Sequence, residues 1–159
     1  MQDVIEQAKA NFTQAKDGMI RALAATPDDK INWSPSETAR TPIQQVAHAA
    51  MAIKHINAML DGTPFAVKTM VEADKVFREW EQQFTTREQV LTLLEENGTA
   101  YLAWLDALTP ERLDTLVEAP FGLGSVPVRI GLTFPPLHTQ VHTAQIDYIQ
   151  TIYGDRVWH

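Results

Sequence analysis

His138 and His142 stand four residues apart in a stretch of helical periodicity. That spacing puts two imidazoles on one helix face, a turn apart, with β-carbons about 6 Å from each other. Two imidazoles so placed can take neighbouring corners of a tetrahedral or octahedral metal ion. His48, among Val46, Ala47, Ala49 and Met51 on an earlier apolar stretch, can supply a third corner if the two helices are neighbours. Three neutral imidazoles would leave the ion's double charge and at least one open position, the pattern of a catalytic site rather than a closed structural one. Imidazole suits Zn, Ni, Cu and Fe alike, and a chain with no cysteine has no thiolate sites. The same spacing also fits histidines that hydrogen-bond within a core or face solvent, so the residues alone leave both readings open.

Other groups are candidates for the same site. His55 follows His48 by seven residues, two turns and about 10 Å along nearly the same stripe. It either lines a pocket or snorkels near the helix end. His159 closes the chain and is expected to be loosely held. Gln45 lies three before His48 and Gln145 three after His142, so each shares a face with its histidine and can hold the ring from behind. Phe134, directly before the His-bearing helix, is a candidate pocket wall together with Trp33, Tyr101 and Trp104, although a Tyr or Trp at helical spacing serves equally well as core. The H-x3-H pair has Thr139 and Gln140 where a metalloprotease-type H-E-x-x-H would carry its Glu, which argues against a protease. Glu95, Glu96 and Asp106 read as solvated helix charges. Gly122-Leu123-Gly124 lacks the G-x-x-x-x-G-K pattern of a phosphate loop.

These residues need helices to position them. Val4, Ile5, Ala8, Phe12, Ala15, Met19 and Leu23 recur at steps of mostly three and four, predicting an amphipathic helix over 2–25 that Pro27 ends. A connector follows over 28–40, with Trp33 expected to pack over a helix end. Thr41-Pro42-Ile43-Gln44 combines a capping Thr, a first-position Pro and a Gln three residues after the cap, so a second helix starts there and runs to about Leu60. Residues 65–84 keep helical spacing at Met70, Ala73, Phe77, Trp80 and Phe84, blurred by Val71, Val76 and intervening charges. They read as a short helix or irregular cover. Thr85 and Thr86, with Glu88 and Gln89, offer two overlapping capping boxes for a long helix over 87–108. Residues 111–134, with three glycines and two prolines in their interior, read as a turn of helix and then a loop or loose hairpin in which Leu116–Val117 and Val126–Ile130 alternate weakly. A last helix begins near Thr133 and ends at about Tyr153, before Gly154. Four long helices without convincing strands make an all-α four-helix bundle.

At 159 residues the chain is one domain, long enough to bury a core without staples. Its net charge of −7 argues against nucleic acid and against an anionic membrane surface. The start carries Asp3 and Glu6 where a signal peptide would be basic and then apolar, and the longest weakly polar stretch, 46–53, falls far short of the ~20 residues of a membrane span. A soluble, cytoplasmic protein is expected, which the lack of cysteine permits.

Trp33-Ser34-Pro35-Ser36, the run Thr41-Pro42-Ile43-Gln44-Gln45-Val46-Ala47-His48, and His138-Thr139-Gln140-Val141-His142-Thr143-Ala144-Gln145-Ile146 together resemble, in order and spacing over nearly the whole chain, the DinB/YfiT-like family of metal-dependent enzymes. The resemblance implies a four-helix bundle in up-down-down-up order, a pocket at one end and a homodimer. It implies His48, His138 and His142 as ligands of a divalent metal, Zn or Ni first. Open coordination would then act on a small-molecule substrate, by activating either a water or a low-molecular-weight thiol. The wider family resembles thiol-dependent S-transferases; a hydrolase, or a bundle that binds a ligand without catalysis, are the alternatives.

Overall fold

The computed structural model describes residues 2–159. Its elements are α1 (Gln2–Ala25), α2 (Pro42–Leu60), α3 (Met70–Glu81), α4 (Arg87–Ala107), β1 (Leu116–Glu118), β2 (Ser125–Pro127), α5 (Val128–Gly131) and α6 (Phe134–Ile152), with short 3₁₀ turns before β1 and between the strands. The helix starts follow local chemistry. Thr41 and Gln44 form a reciprocal capping box on α2, and Thr86 and Gln89 form another on α4, so of the two overlapping boxes at that start the second is used. The Thr69 hydroxyl accepts from the Glu72 backbone and opens α3, so the blurred stretch resolves into a three-turn helix.

The four long helices form a ring in which α1 packs on α4 and α6, and α2 packs on α4 and α6. Cross-helix bonds give the directions. Lys9 meets Asp106 at 2.5 Å and Lys16 meets Glu95 at 2.6 Å, so α1 and α4 are antiparallel. Asn97 donates to the Ala50 carbonyl and Trp104 to Asp61, so α2 and α4 are parallel. Gln45 faces His142 while His48 faces His138, so α2 and α6 are antiparallel. Gln150 near the end of α6 reaches the Ala22 carbonyl near the end of α1, so those two run together. The order is up-down-down-up.

α2 is the inner helix. Ala47, Ala49, Ala50 and Ile53 lose all exposure, because neighbours surround them on several sides. Small residues let α4 and α6 approach, and each fully buried large apolar side chain there contributes about 1.5–3 kcal/mol. Phe12 and Tyr101, both wholly buried, meet edge to face at 4.9 Å in the α1–α4 half of the core.

Residues 116–118 and 125–127 pair antiparallel, Val117 opposite Val126. The expected second strand is half right: after Pro127 the chain turns into α5, so Val128–Ile130 are helical. Gly131 explains the tight seat of α5, since a β-carbon there would come within 2.3 Å of Leu60 Cδ2. No helix among the described residues is long and apolar enough to cross a membrane.

Candidate metal centre

The antiparallel contact of α2 and α6 brings His48, His138 and His142 together. Each offers one ring nitrogen, and these nitrogens all lie within 4.8 Å of one another. Ring centroids are 4.5 Å apart for His138 and His142, 4.6 Å for His48 and His142, and 5.2 Å for His48 and His138. An ion with bonds of about 2.1 Å to imidazole holds neighbouring donors roughly 3.4 Å apart. Small ring movements therefore close the cluster on a common atom, and the all-nitrogen donor set fits Zn, Ni, Cu or Fe.

Two rings are held from behind. His48 Nδ1 donates to Glu81 Oε1 at 2.7 Å, and His142 Nδ1 donates to Gln45 Oε1 at 2.6 Å. Each bond sets the tautomer and leaves Nε2 with its lone pair free. Glu81 is fully buried, and its other oxygen accepts from Arg40 Nε at 2.7 Å. Arg40 also donates to Asp74 at 3.0 Å, and Arg78 holds Asp74 from the other side at 2.7 Å. Sequence reading missed Glu81, Arg40 and Asp74. One signal was present: Glu81 follows Ala73 and Phe77 at steps of four, so it is a carboxylate on the inward stripe of α3. Nothing in the sequence around Arg40 marks it.

Burial pushes His138 down to about 4, with His48 and Arg40 adding to the effect. Burial pushes His142 further, to about 2, with His138, His48 and Arg40 acting the same way. Both rings stay neutral where an ordinary histidine would be protonated. In the unfolded chain they take up protons near pH 6.5. Below that pH the unfolded state binds more protons than the folded one, so stability must fall as the solution is acidified. The melting temperature of the metal-free protein is expected to drop between pH 7 and pH 4.5, and to drop less in H138Q/H142Q. A wild-type profile as flat as the variant's would contradict a buried neutral pair.

The remaining candidates are distributed differently from expectation. Phe134 lines the cavity beside the three histidines. Tyr101, Trp104, Trp33 and His55 are not among its lining residues. Tyr101 is core and donates to the Leu132 carbonyl, while Trp104 stacks on Tyr101 and bonds Asp61. Both sit on α4, which packs on the opposite side of α2 from the cavity and diagonally from α6. Trp33 lies edge-on to Tyr153 at 6.2 Å, over the end of α6. His55 is exposed and packs on Phe77 from one side, while His48 touches the same ring at 5.1 Å, so Phe77 separates His55 from the cluster. Gln145 is exposed; its only effect on His142 is a minor one opposing the depression. His159 bonds Asp155 at 3.1 Å. Glu95, Glu96 and Asp106 are exposed on α4, Glu95 and Asp106 paired with lysines of α1.

The cavity holds about 740 Å³ and runs along α2 from His48 to Met59, under α3 and the hairpin. Its other wall is the first half of α6, from Phe134 to His142, so it lies toward the end of the α2–α6 pair where α2 finishes and α6 begins.

The profile of the DinB superfamily matches residues 11–146. Among solved structures, YfiT from Bacillus subtilis, described as a probable metal-dependent hydrolase with an unusual four-helix bundle topology, is similar at a TM-score of 0.73 and 15% identity, over 94% of this chain and 87% of its own. An uncharacterized protein of Clostridium difficile 630 is similar at a TM-score of 0.74 and 12% identity, over 93% of this chain and 96% of its own. The sibling lethal factor precursor DfsB is similar at a TM-score of 0.72 and 15% identity, over 95% and 97%. At these identities the likeness is one of fold. No curated protein matches the sequence.

Proposed function

The chain belongs to the DinB superfamily, and on that footing we propose that it is a divalent-metal-dependent enzyme acting on a small organic molecule, with His48, His138 and His142 as ligands of a Zn or Ni ion. The observation that carries this reading is the meeting of three buried or half-buried imidazole nitrogens within 4.8 Å. A divalent ion held there supplies an electrophilic centre that lowers the pKa of a bound thiol or water. Glu81 and Gln45 keep two rings turned inward and in the ligating tautomer. Arg40 keeps Glu81 ionised and fixed in place.

The favoured reaction is attack of a low-molecular-weight thiol's sulfur on an electrophilic carbon of the substrate, the C–S bond forming as the bond to a leaving group breaks and the thiol proton passes to solvent. Hydrolysis gains from a general base near the attacking water, in addition to what the ion's lowering of the water's pKa would supply. The two carboxylates nearest the cluster are both engaged, Glu81 by His48 and Arg40, Asp74 by Arg40 and Arg78. A thiol, more acidic than water by many orders of magnitude, needs no such base once its pKa is lowered. The reading extends to a homodimer and to a reducing cytoplasm, a compartment with which a chain without cysteine is compatible.

The test starts from untagged protein grown with added Zn and Ni. Bound metal near one ion per chain, turnover of an electrophile that depends on added thiol, and loss of both in H48A/H138A/H142A are expected. Wild-type protein that carries no metal after that growth, with a melting temperature that the triple variant leaves unchanged, would end the metalloenzyme reading. Turnover independent of thiol would turn it to a hydrolase, the activity described as probable for YfiT.

A further inference from the structure

Beyond the histidine cluster, the wall of the cavity is almost entirely apolar. Met59 and Ile56 come from α2, Phe77 from α3, Leu137 from α6, Phe65 from the segment before α3, and Phe121 from the hairpin tip. Among the described residues, the acidic and basic side chains on the wall besides the imidazoles are Arg40 and Asp74. These hold each other at 3.0 Å, and Arg40 is further tied to Glu81 at 2.7 Å. A ligand carboxylate would have to compete with two carboxylates already on Arg40, and a ligand ammonium with two guanidinium partners on Asp74. The apolar character continues to the mouth, where Met70 is 69% and Leu123 is 74% exposed.

Phe121 stands out at this mouth. Its backbone is left-handed, at φ 61° and ψ 28°, in a turn where Gly122 and Gly124 take the other positive φ values. A bulky aromatic residue at such a position is strained, and strain of this kind persists where the side chain is needed. The Phe121 ring packs edge-on to Phe65 at 5.9 Å and lines the cavity.

We propose that the cavity binds a neutral, mainly apolar organic molecule, a medium-length aliphatic chain or an aromatic ring, with Phe121 as the residue that closes over it and sets specificity. The volume of about 740 Å³ is that of a drug-sized ligand site. The inference rests on the metal-site reading only for which end of the ligand faces the imidazoles.

Two ligand series separate the inference from that reading. Straight-chain primary amides of four to ten carbons, titrated calorimetrically into metal-free protein, test the cavity alone. Affinity is expected to rise about threefold to fourfold for each added methylene until the cavity fills. An ω-carboxylate on the longest chain is expected to lower affinity at least tenfold. F121N keeps a side chain that tolerates left-handed backbone and lies at a half-exposed position, so it folds. It is expected to weaken the ten-carbon amide at least tenfold, and F121L to restore most of that loss. Hydroxamic acids on the same chains, titrated into metal-loaded protein, add the head group. Tighter binding than the amides there supports the metal reading, and equal binding counts against that reading alone. Amide affinity that is flat with chain length, indifferent to the terminal carboxylate, or unchanged in F121N overturns the proposal. So does amide binding that weakens as protein concentration rises, because a second copy would then be the occupant of the mouth.

Discussion

Replacing His48 by alanine is expected to weaken metal binding by more than about a hundredfold, beyond what loss of an outer partner of a ligand costs. The ligands are neutral, and none of the nearby carboxylates is free to substitute. Glu81 points at His48 Nδ1 and is held by Arg40, so removing the ring leaves a gap that the protein's own groups do not fill. The effect is measurable as stability. At a metal concentration a thousandfold above its Kd, the wild-type protein gains about 4 kcal/mol. A hundredfold weaker variant gains only about 1.4 kcal/mol under the same conditions. Competition against a chromophoric chelator gives the affinity directly. His55→Ala, on the far side of Phe77, is the control and is expected to bind metal like the wild type. Tight binding retained in His48→Ala would remove His48 from the site, and a loss as large in His55→Ala would move the site.

Glu81→Leu is expected to be the most destabilising single change near the centre, at about 3 kcal/mol in the metal-free protein. The Glu81 side chain is 1% exposed and that of Arg40 12%. Deleting one partner of a buried pair strands the other, which typically costs about 3–5 kcal/mol. The lower end applies because Asp74 still holds one nitrogen of Arg40. Arg40→Met added to Glu81→Leu is expected to recover part of the loss, since no unpaired guanidinium then remains. A double variant less stable than the sum of the two single changes would contradict the pairing. Glu81→Gln separates orientation from charge. It keeps an acceptor for His48 Nδ1 but not the negative charge, and a tenfold to hundredfold drop in metal affinity is expected. The pH dependence has its own sign. Burial by itself would push the Glu81 carboxyl up, but the bonds from His48 and Arg40 outweigh it and hold the group below the ordinary carboxylate value. Its contribution is therefore present above about pH 4.5 and lost as the pH falls through the lowered value. That window lies below the one set by His138 but within the one set by His142, so the Glu81 fall-off is read as the difference between the melting series of the wild type and of Glu81→Gln.

The centre is half a local feature and half an assembled one. The His138/His142 pair is a single-helix property and needs only the 3.6-residue repeat. Glu81 reaches His48 across 33 residues, and Gln45 reaches His142 across 97. Gln45 was legible as a partner on the face of His48, yet its bond goes to the histidine of the other helix. Tyr101 and Trp104 stand at helical spacing, but such spacing reports only that a face is inward, not toward which neighbour. The short helix α3 was blurred because Val71 and Val76 are 83% and 49% exposed, apolar residues off the inward stripe that obscure its period.

The sequence by itself determined where the long helices begin and end, because capping boxes, prolines and apolar repeats act within a few residues of the chain. It determined the exclusion of protein thiolates as ligands or nucleophiles and the pairing of two imidazoles on one face. Only the tertiary structure decided that Glu81 and Arg40 stand behind His48, that Gln45 meets His142, and that Phe121 lines the cavity beside the cluster. Those outcomes depend on which faces meet once all the elements compete for the same buried surface, and a buried carboxylate is tolerable only where distant partners arrive to satisfy it.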